Sequence, residues 1–283
     1  MAFLGKEIRM KRLLNPKSGK LLAITVDHSI ARGIQTGLIP IQKTIDAIVA
    51  GKPDAMTMHK GIADSCFGKH AGKTALILKC SSFSPYQPGF DTWVTDVEEA
   101  VRMGADAASM GCIVGGDVQP EQLRQLGQMS KQCASFGMPL VAHIYARGNL
   151  IDKKDVYNWK NVAYAVRAGA ELGVDIIKTS YTGTPETFAK VIEACPGRVV
   201  AAGGEVGNKI EDYIKMTRDL MDCGAAGVTF GRFVWEYHDI SSLVKTLAFI
   251  IHQNGSVKEA IEFLADLEAA KQKASANKKT AKK

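Results

Sequence analysis

Eight short runs of apolar, β-favouring residues recur along this 283-residue chain, and stretches of helical periodicity separate them. The runs are LLAITVD (21–27), DAMTMHK (54–60), TALILKC (74–80), DAASMGCI (106–113), PLVAHIYA (139–146), DIIKTSY (175–181), VVAAGG (199–204) and GVTFGR (227–232). Near-continuous apolar character is what a parallel strand buried on both faces requires. Eight such strands alternating with helices predict an α/β fold, a single (β/α)₈ TIM barrel rather than an open sheet.

The intervening segments agree. Residues 94–105 (VTDVEEAVRMGA) place apolar side chains at 94, 97, 100, 101 and 103, with acids early and Arg102 late, which suits a helix dipole. Thr95 and Glu98 have capping-box spacing. Residues 161–173 and 211–224 repeat the pattern, and each ends at a glycine, the preferred residue past a helix C-terminus. Helix–glycine–strand joints recur at Gly104, Gly173 and Gly224. The second unit is short, with room for a helix of barely two turns in 61–73. Residues 1–20 fall outside the eight units, and 254–270 reads as an extra C-terminal helix.

The barrel is expected to occupy residues 1–270 as one domain. The formal net charge of +7 narrows to +1 once the six lysines of residues 271–283 are set aside. That acid-free tail is poor in apolar residues and reads as disordered, so neither a nucleic-acid partner nor a basic enzyme surface is expected. Six scattered cysteines show no CxxC pair or metal-ligand spacing, which argues against a zinc site and a disulfide framework. No apolar run approaches the ~18 residues of a membrane span, and the N-terminus lacks a signal-peptide core. A reducing, cytoplasmic setting is expected.

In such barrels chemistry gathers at the C-terminal ends of the strands. These ends carry Asp27-His28, His59-Lys60, Lys79, Tyr145 with Arg147, Lys178, Gly203-Gly204-Glu205 and Gly231-Arg232. Lys178 shares a strand face with Ile176, towards the barrel interior. Desolvation there would free some neutral amine to attack a carbonyl. A lysine paired with a carboxylate at the barrel mouth fits the pattern equally well. Tyr145 is either a proton relay or a packed rim tyrosine, and Asp27 either an acid/base or a salt-bridge partner. His28 and His143 lack ligand spacing and read as structural. Gly203-Gly204 and Gly231-Arg232 end the seventh and eighth strands, whose loops commonly bind phosphate through backbone N–H groups and an arginine fork. Gly68–Thr74 ends like a P-loop, but Phe67 stands where the motif needs glycine.

At these positions the chain resembles the archaeal-type class I aldolases, a group holding fructose-bisphosphate aldolase and 2-amino-3,7-dideoxy-D-threo-hept-6-ulosonate synthase. The likeness spans roughly residues 8–265 and is strongest in RLLNPKSGKLLAITVDH, HKGI, VEEAVRMGADAASM, IYARG, GAELGVDIIKTSYTG, AAGG and GAAGVTFGR. It implies that Lys178 forms a Schiff base, that Tyr145 and Asp27 exchange protons, and that Gly203, Gly204, Gly231 and Arg232 hold a substrate phosphate. It implies no metal or other cofactor, a phosphorylated sugar substrate and a homo-oligomer, often a decamer. The leading expectation is the glycolytic cleavage of fructose 1,6-bisphosphate to dihydroxyacetone phosphate and glyceraldehyde 3-phosphate. The alternatives are a transaldol synthase of aromatic biosynthesis, a more distantly related acyl-transferring thiolase of autoinducer-2 catabolism, and a silent sugar-phosphate-binding barrel. That thiolase lacks the tyrosine of IYARG, so Tyr145 favours aldol chemistry. The sequence departs from the family's DHG, YPRG and GGP at Ser29, Ala146 and Glu205, and Glu205 would add negative charge near the phosphate loops.

Overall fold

The computed structural model describes residues 4–204, 207 and 209–280. Its eight long parallel strands are β1 (Leu21–Thr25), β2 (Ala55–Met58), β3 (Ala75–Lys79), β4 (Ala107–Val114), β5 (Leu140–Ala146), β6 (Ile176–Ser180), β7 (Arg198–Ala202) and β8 (Gly227–Phe230). They close in sequence order, with β8 pairing back onto β1 through Leu21–Gly227 and Ala23–Thr229. The expected (β/α)₈ barrel is therefore the observed one. The extra helix after the eighth unit is also present.

Side-chain alternation stacks the interior in layers. Ala23, Ala55, Ile77, Ala107, Val141, Ile176 and Val200 form an apolar inner cluster. Two residues further along the same strand faces come Thr25, Thr57, Lys79, Ser109, His143 and Lys178, all buried. The interior thus changes from apolar to polar at one height, towards the C-terminal ends of the strands. Below it, Leu13 joins the inner cluster from the helix Leu4–Leu13, with Met10 and Leu14 packed against it. That helix is tied down by Lys6–Asp175 at 2.8 Å and by Arg9 donating to the Gly137 carbonyl. It occupies part of the stretch that the eight-unit pattern left outside.

The joints between helices and strands share one device. Gly104, Gly173 and Gly224 take φ of +72°, +80° and +91°, a region that favours glycine. At the entries to β2, β4 and β6, Asp54, Asp106 and Asp175 accept the backbone N–H of Leu22, Leu76 and Leu140 on the preceding strand, at 2.7, 3.1 and 2.9 Å.

Two local expectations are corrected. The helix Val97–Arg102 is capped by Asp96, whose side chain accepts from the Glu99 N–H at 2.7 Å; Thr95 is buried instead. The lysine-rich tail is helical as far as Thr280, because the helix Val257–Thr280 is already seated through Ala260 and Leu264. Extending a formed helix through alanine and lysine costs little, and Lys271 adds bonds to Asp239 and Ser241. No helix among the described residues is long and apolar enough to cross a membrane.

Candidate active site

The C-terminal ends of the strands surround a cavity of about 320 Å³. Asp27, Tyr145, Lys178, Gly203, Gly204, Gly231 and Arg232, the seven site residues expected from sequence, all line it. Glu205 lies outside the described residues.

Lys178 stands inward on β6, opposite His143 of β5 in register, and is 6% exposed. Burial, helped by Lys79 and Arg32, pushes its amine down to about 8 against the pull of the Asp27 carboxylate. About a tenth of it is therefore unprotonated at pH 7. For Asp27, burial acts to raise the pKa, but facing His28, Lys178 and Lys79 the group ends below its ordinary value and is a carboxylate. Tyr145 goes the other way. Burial lifts its phenol to about 12, only partly offset by Arg147, so it holds its proton through the neutral range. One cavity thus holds a partly neutral amine, a carboxylate and a protonated phenol.

The two loops expected to bind phosphate lie side by side at the mouth. Gly204 has φ +57°, a strained value for any other residue. At Gly231 a Cβ would come within 2.5 Å of His28 and 2.9 Å of Thr25, so only glycine lets the chain turn there.

Both histidines read as structural face the cavity. His143 bonds Ser109 at 3.1 Å, and burial together with Lys178 and Lys79 holds its pKa well below the usual range. His28 packs edge-on to Trp235, and burial lowers it to about 4 despite the Asp27 carboxylate. Neither changes charge near neutral pH.

The structure adds residues for which the sequence suggested no role. Arg147 lies 4.6 Å from the Phe83 ring centroid and 5.0 Å from that of Tyr145, and its Nε and Nη2 have no hydrogen-bond partner among the described residues. Arg32 and Phe83 complete that wall. Lys79, at the end of β3 and 5% exposed, donates to Ser81 at 2.9 Å and faces the Asp91 carboxylate at 3.6 Å. Asp91 reaches the interior because the segment after β3 forms a hairpin, Ser81–Ser82 against Thr92–Trp93. Buried Gln122 pins it by accepting the Asp91 N–H and donating to the Asp91 carbonyl. Lys79 at a strand end was a visible signal; Asp91, in an aperiodic loop, left none.

The Asp91 carboxylate fills the space that a side chain on Gly111 of β4 would need, with Oδ2 only 1.9 Å from a Cβ built there. Gly111→Ala is therefore expected to destabilise the fold by about 1–3 kcal/mol through overpacking. A urea midpoint indistinguishable from wild type would show that the loop yields freely.

The profile of the DeoC/LacD family aldolase matches residues 21–237. The chain belongs to that family. As a DeoC/LacD family member it is an enzyme of the Schiff-base, class I aldolase type. It is 34% identical over 259 residues to a 2-amino-3,7-dideoxy-D-threo-hept-6-ulosonate synthase of Halobacterium salinarum, covering 91% of this chain and 95% of that one. It is 29% identical to a 2-amino-4,5-dihydroxy-6-oxo-7-(phosphonooxy)heptanoate synthase of Streptomyces griseus, covering 89% and 92%. Among solved structures, an archaeal fructose-1,6-bisphosphate aldolase with its catalytic lysine bound to the substrate's carbinolamine superposes with a TM-score of 0.79. That match is 26% identical and covers 88% of this chain and 99% of the other.

Proposed function

We propose that this aldolase joins a three-carbon hydroxyketone donor, held as a Schiff base on Lys178, to a four-carbon amino aldehyde. The observation that carries the Schiff base is a lysine 6% exposed, its amine lowered to about 8, in one cavity with an ionised Asp27 and a protonated Tyr145. Acceptor choice rests on the relatives. Both synthases above are named for 2-amino seven-carbon acids with a 6-ketone. Disconnecting such a skeleton between C4 and C5, the bond an aldol step makes, leaves a hydroxyketone and a 2-amino-4-oxo acid. This reading is better supported than cleavage of fructose 1,6-bisphosphate, the leading expectation from sequence. The cavity's charges suit it: among the described residues, Lys79, Arg32, Arg147, Arg232 and Lys178 line it with two carboxylates, Asp27 and Asp91. A substrate pair carrying phosphate and carboxylate balances that excess.

The Lys178 amine adds to the donor ketone, and loss of water leaves an iminium. Asp27 removes a proton from the adjacent carbon, or from the hydroxyl of a ketose whose C–C bond breaks, and the electrons pass into the iminium as an enamine. The enamine carbon attacks the acceptor aldehyde, and the new alkoxide takes its proton from Tyr145. Water then hydrolyses the iminium and frees Lys178. Gly203, Gly204, Gly231 and Arg232 hold the donor phosphate, and Arg147 and Arg32 hold the acceptor's carboxylate.

The deciding experiment is borohydride reduction with dihydroxyacetone phosphate, followed by peptide mass spectrometry. A mass gain on the Lys178 peptide is expected; no adduct with this donor or with fructose 1,6-bisphosphate would leave only a sugar-phosphate-binding barrel. The rate of adduct formation should rise about tenfold per pH unit and level off near pH 8, since only the neutral amine attacks. Tyr145 and the two cavity histidines titrate outside that window. A rate independent of pH between 6.5 and 8 would contradict the assignment.

A further inference from the structure

Among the charged side chains of the cavity wall, the steps above leave one pair without a role, Lys79 and Asp91. Asp91 is 4% exposed and lines the cavity, and its carboxylate Oδ1 has no hydrogen-bond partner among the described residues. Its nearest cation, Lys79, is already bonded to Ser81 and stops at 3.6 Å. A carboxylate serving only as counter-ion to that lysine would close to about 2.7–2.9 Å. An ionised carboxylate has roughly four acceptor positions, and leaving them empty in a buried site is costly. The chain nevertheless spends a hairpin, the buried Gln122 and the missing side chain of Gly111 on holding Asp91 there. The Asp91 charge also acts on Arg147, which lines the same cavity with two guanidinium nitrogens unpartnered among the described residues.

We propose that Asp91 is the specificity residue that receives the ammonium group of the amino aldehyde acceptor. An unmet buried anion beside unmet guanidinium donors is complementary to the two charges of one α-amino acid. Asp27 is engaged with the reacting atoms and its own neighbours, so it is not free for this role. The assignment rests on the aldol reading of the site.

Its test compares two acceptors that differ only in the amino group, L-aspartate 4-semialdehyde and succinate semialdehyde, with dihydroxyacetone phosphate as donor. Borohydride trapping on Lys178 comes first, so that failure of the aldol reading is seen separately; without an adduct both readings fall. With trapping established, wild-type protein is expected to favour the amino aldehyde by about 100-fold or more in kcat/KM, because the analogue leaves a buried polar group unpaired. In Asp91→Asn the preference should shrink to within a few-fold, chiefly through a higher KM for the amino aldehyde. A Lys79→Gln/Asp91→Asn double variant, which removes both charges together, should show the same collapse if the single variant folds poorly. Equal use of the two aldehydes by wild type overturns the assignment, as does preference for glyceraldehyde 3-phosphate. So does an Asp91→Asn variant that slows both acceptors by the same factor, the signature of a counter-ion for Lys79 and nothing more.

Discussion

Lys178→Met should abolish the borohydride-trapped adduct and lower kcat/KM by about 10⁴-fold or more, while making the protein more stable at neutral pH. The first effect follows from losing the covalent nucleophile, on which every later step depends. The second follows from the same burial that activates the amine. Its folded-state value near 8 lies below its ordinary 10.5, so the unfolded chain binds the proton more tightly than the folded one. The penalty is complete below pH 8 and fades as the pH rises towards 10.5. Methionine fills similar volume without charge, so a gain of about 1–3 kcal/mol is expected at pH 7, reduced because Asp27 loses a cationic neighbour. Urea unfolding of both proteins at pH 7 and pH 10 checks it: the gap should narrow at the higher pH. A destabilised variant at pH 7 would mean that Lys178 is chiefly a salt-bridge partner, the other reading its sequence position allowed.

All eight strands were legible because each is covered on both faces, one by the inner cluster and one by the helices. Burial on both sides forces an unbroken apolar run, and such a run survives without any knowledge of partners. The joints at Gly104, Gly173 and Gly224 were legible for a related reason, since the positive φ they adopt admits few other residues. The helix Leu4–Leu13 was not. Only Leu13 of it is buried, with Met10 packed alongside, and charged residues dominate the rest, so no helical stripe marks it. At the cap of Val97–Arg102, Thr95 and Asp96 both carry an oxygen that could cap, and the backbone path alone decides for Asp96.

The site divides along the same line. Lys178, Tyr145 and Asp27 sit at or just beyond strand ends, and the phosphate-loop glycines follow strands seven and eight, so position in the repeat pointed to them. What distinguishes a reactive lysine from a paired one is the burial around it, and that depends on seven other strands. His28 and His143 read as structural because spacing along the chain says nothing about facing a shared cavity. Asp91 was invisible for a further reason. It arrives from a hairpin of two-residue strands with no periodicity, and its destination is recorded only in the absent side chain of Gly111, about 70 Å of extended chain away along the sequence.

Tyr145→Phe is expected to lower kcat by about 10²- to 10⁴-fold while leaving the Lys178 adduct able to form. The phenylalanine ring keeps the packing against Arg147, 5.0 Å from the guanidinium, so the wall of the cavity should stand and only the oxygen is lost. With a pKa near 12 that oxygen carries a proton throughout the working range, which fits it to donate to the alkoxide formed when the enamine meets the aldehyde. Schiff-base formation precedes that proton transfer. The block therefore falls after the adduct, and intact mass spectrometry without reductant should find covalent intermediate accumulating in the variant during turnover. Asp27→Asn, by contrast, removes the base that makes the enamine, so its trapped species should be the iminium before carbon–carbon bond formation. A Tyr145→Phe enzyme within about threefold of wild type would hand the proton to Asp27 or to water and leave the tyrosine a packing residue. A variant that forms no adduct at all would move Tyr145 earlier, to the dehydration of the carbinolamine.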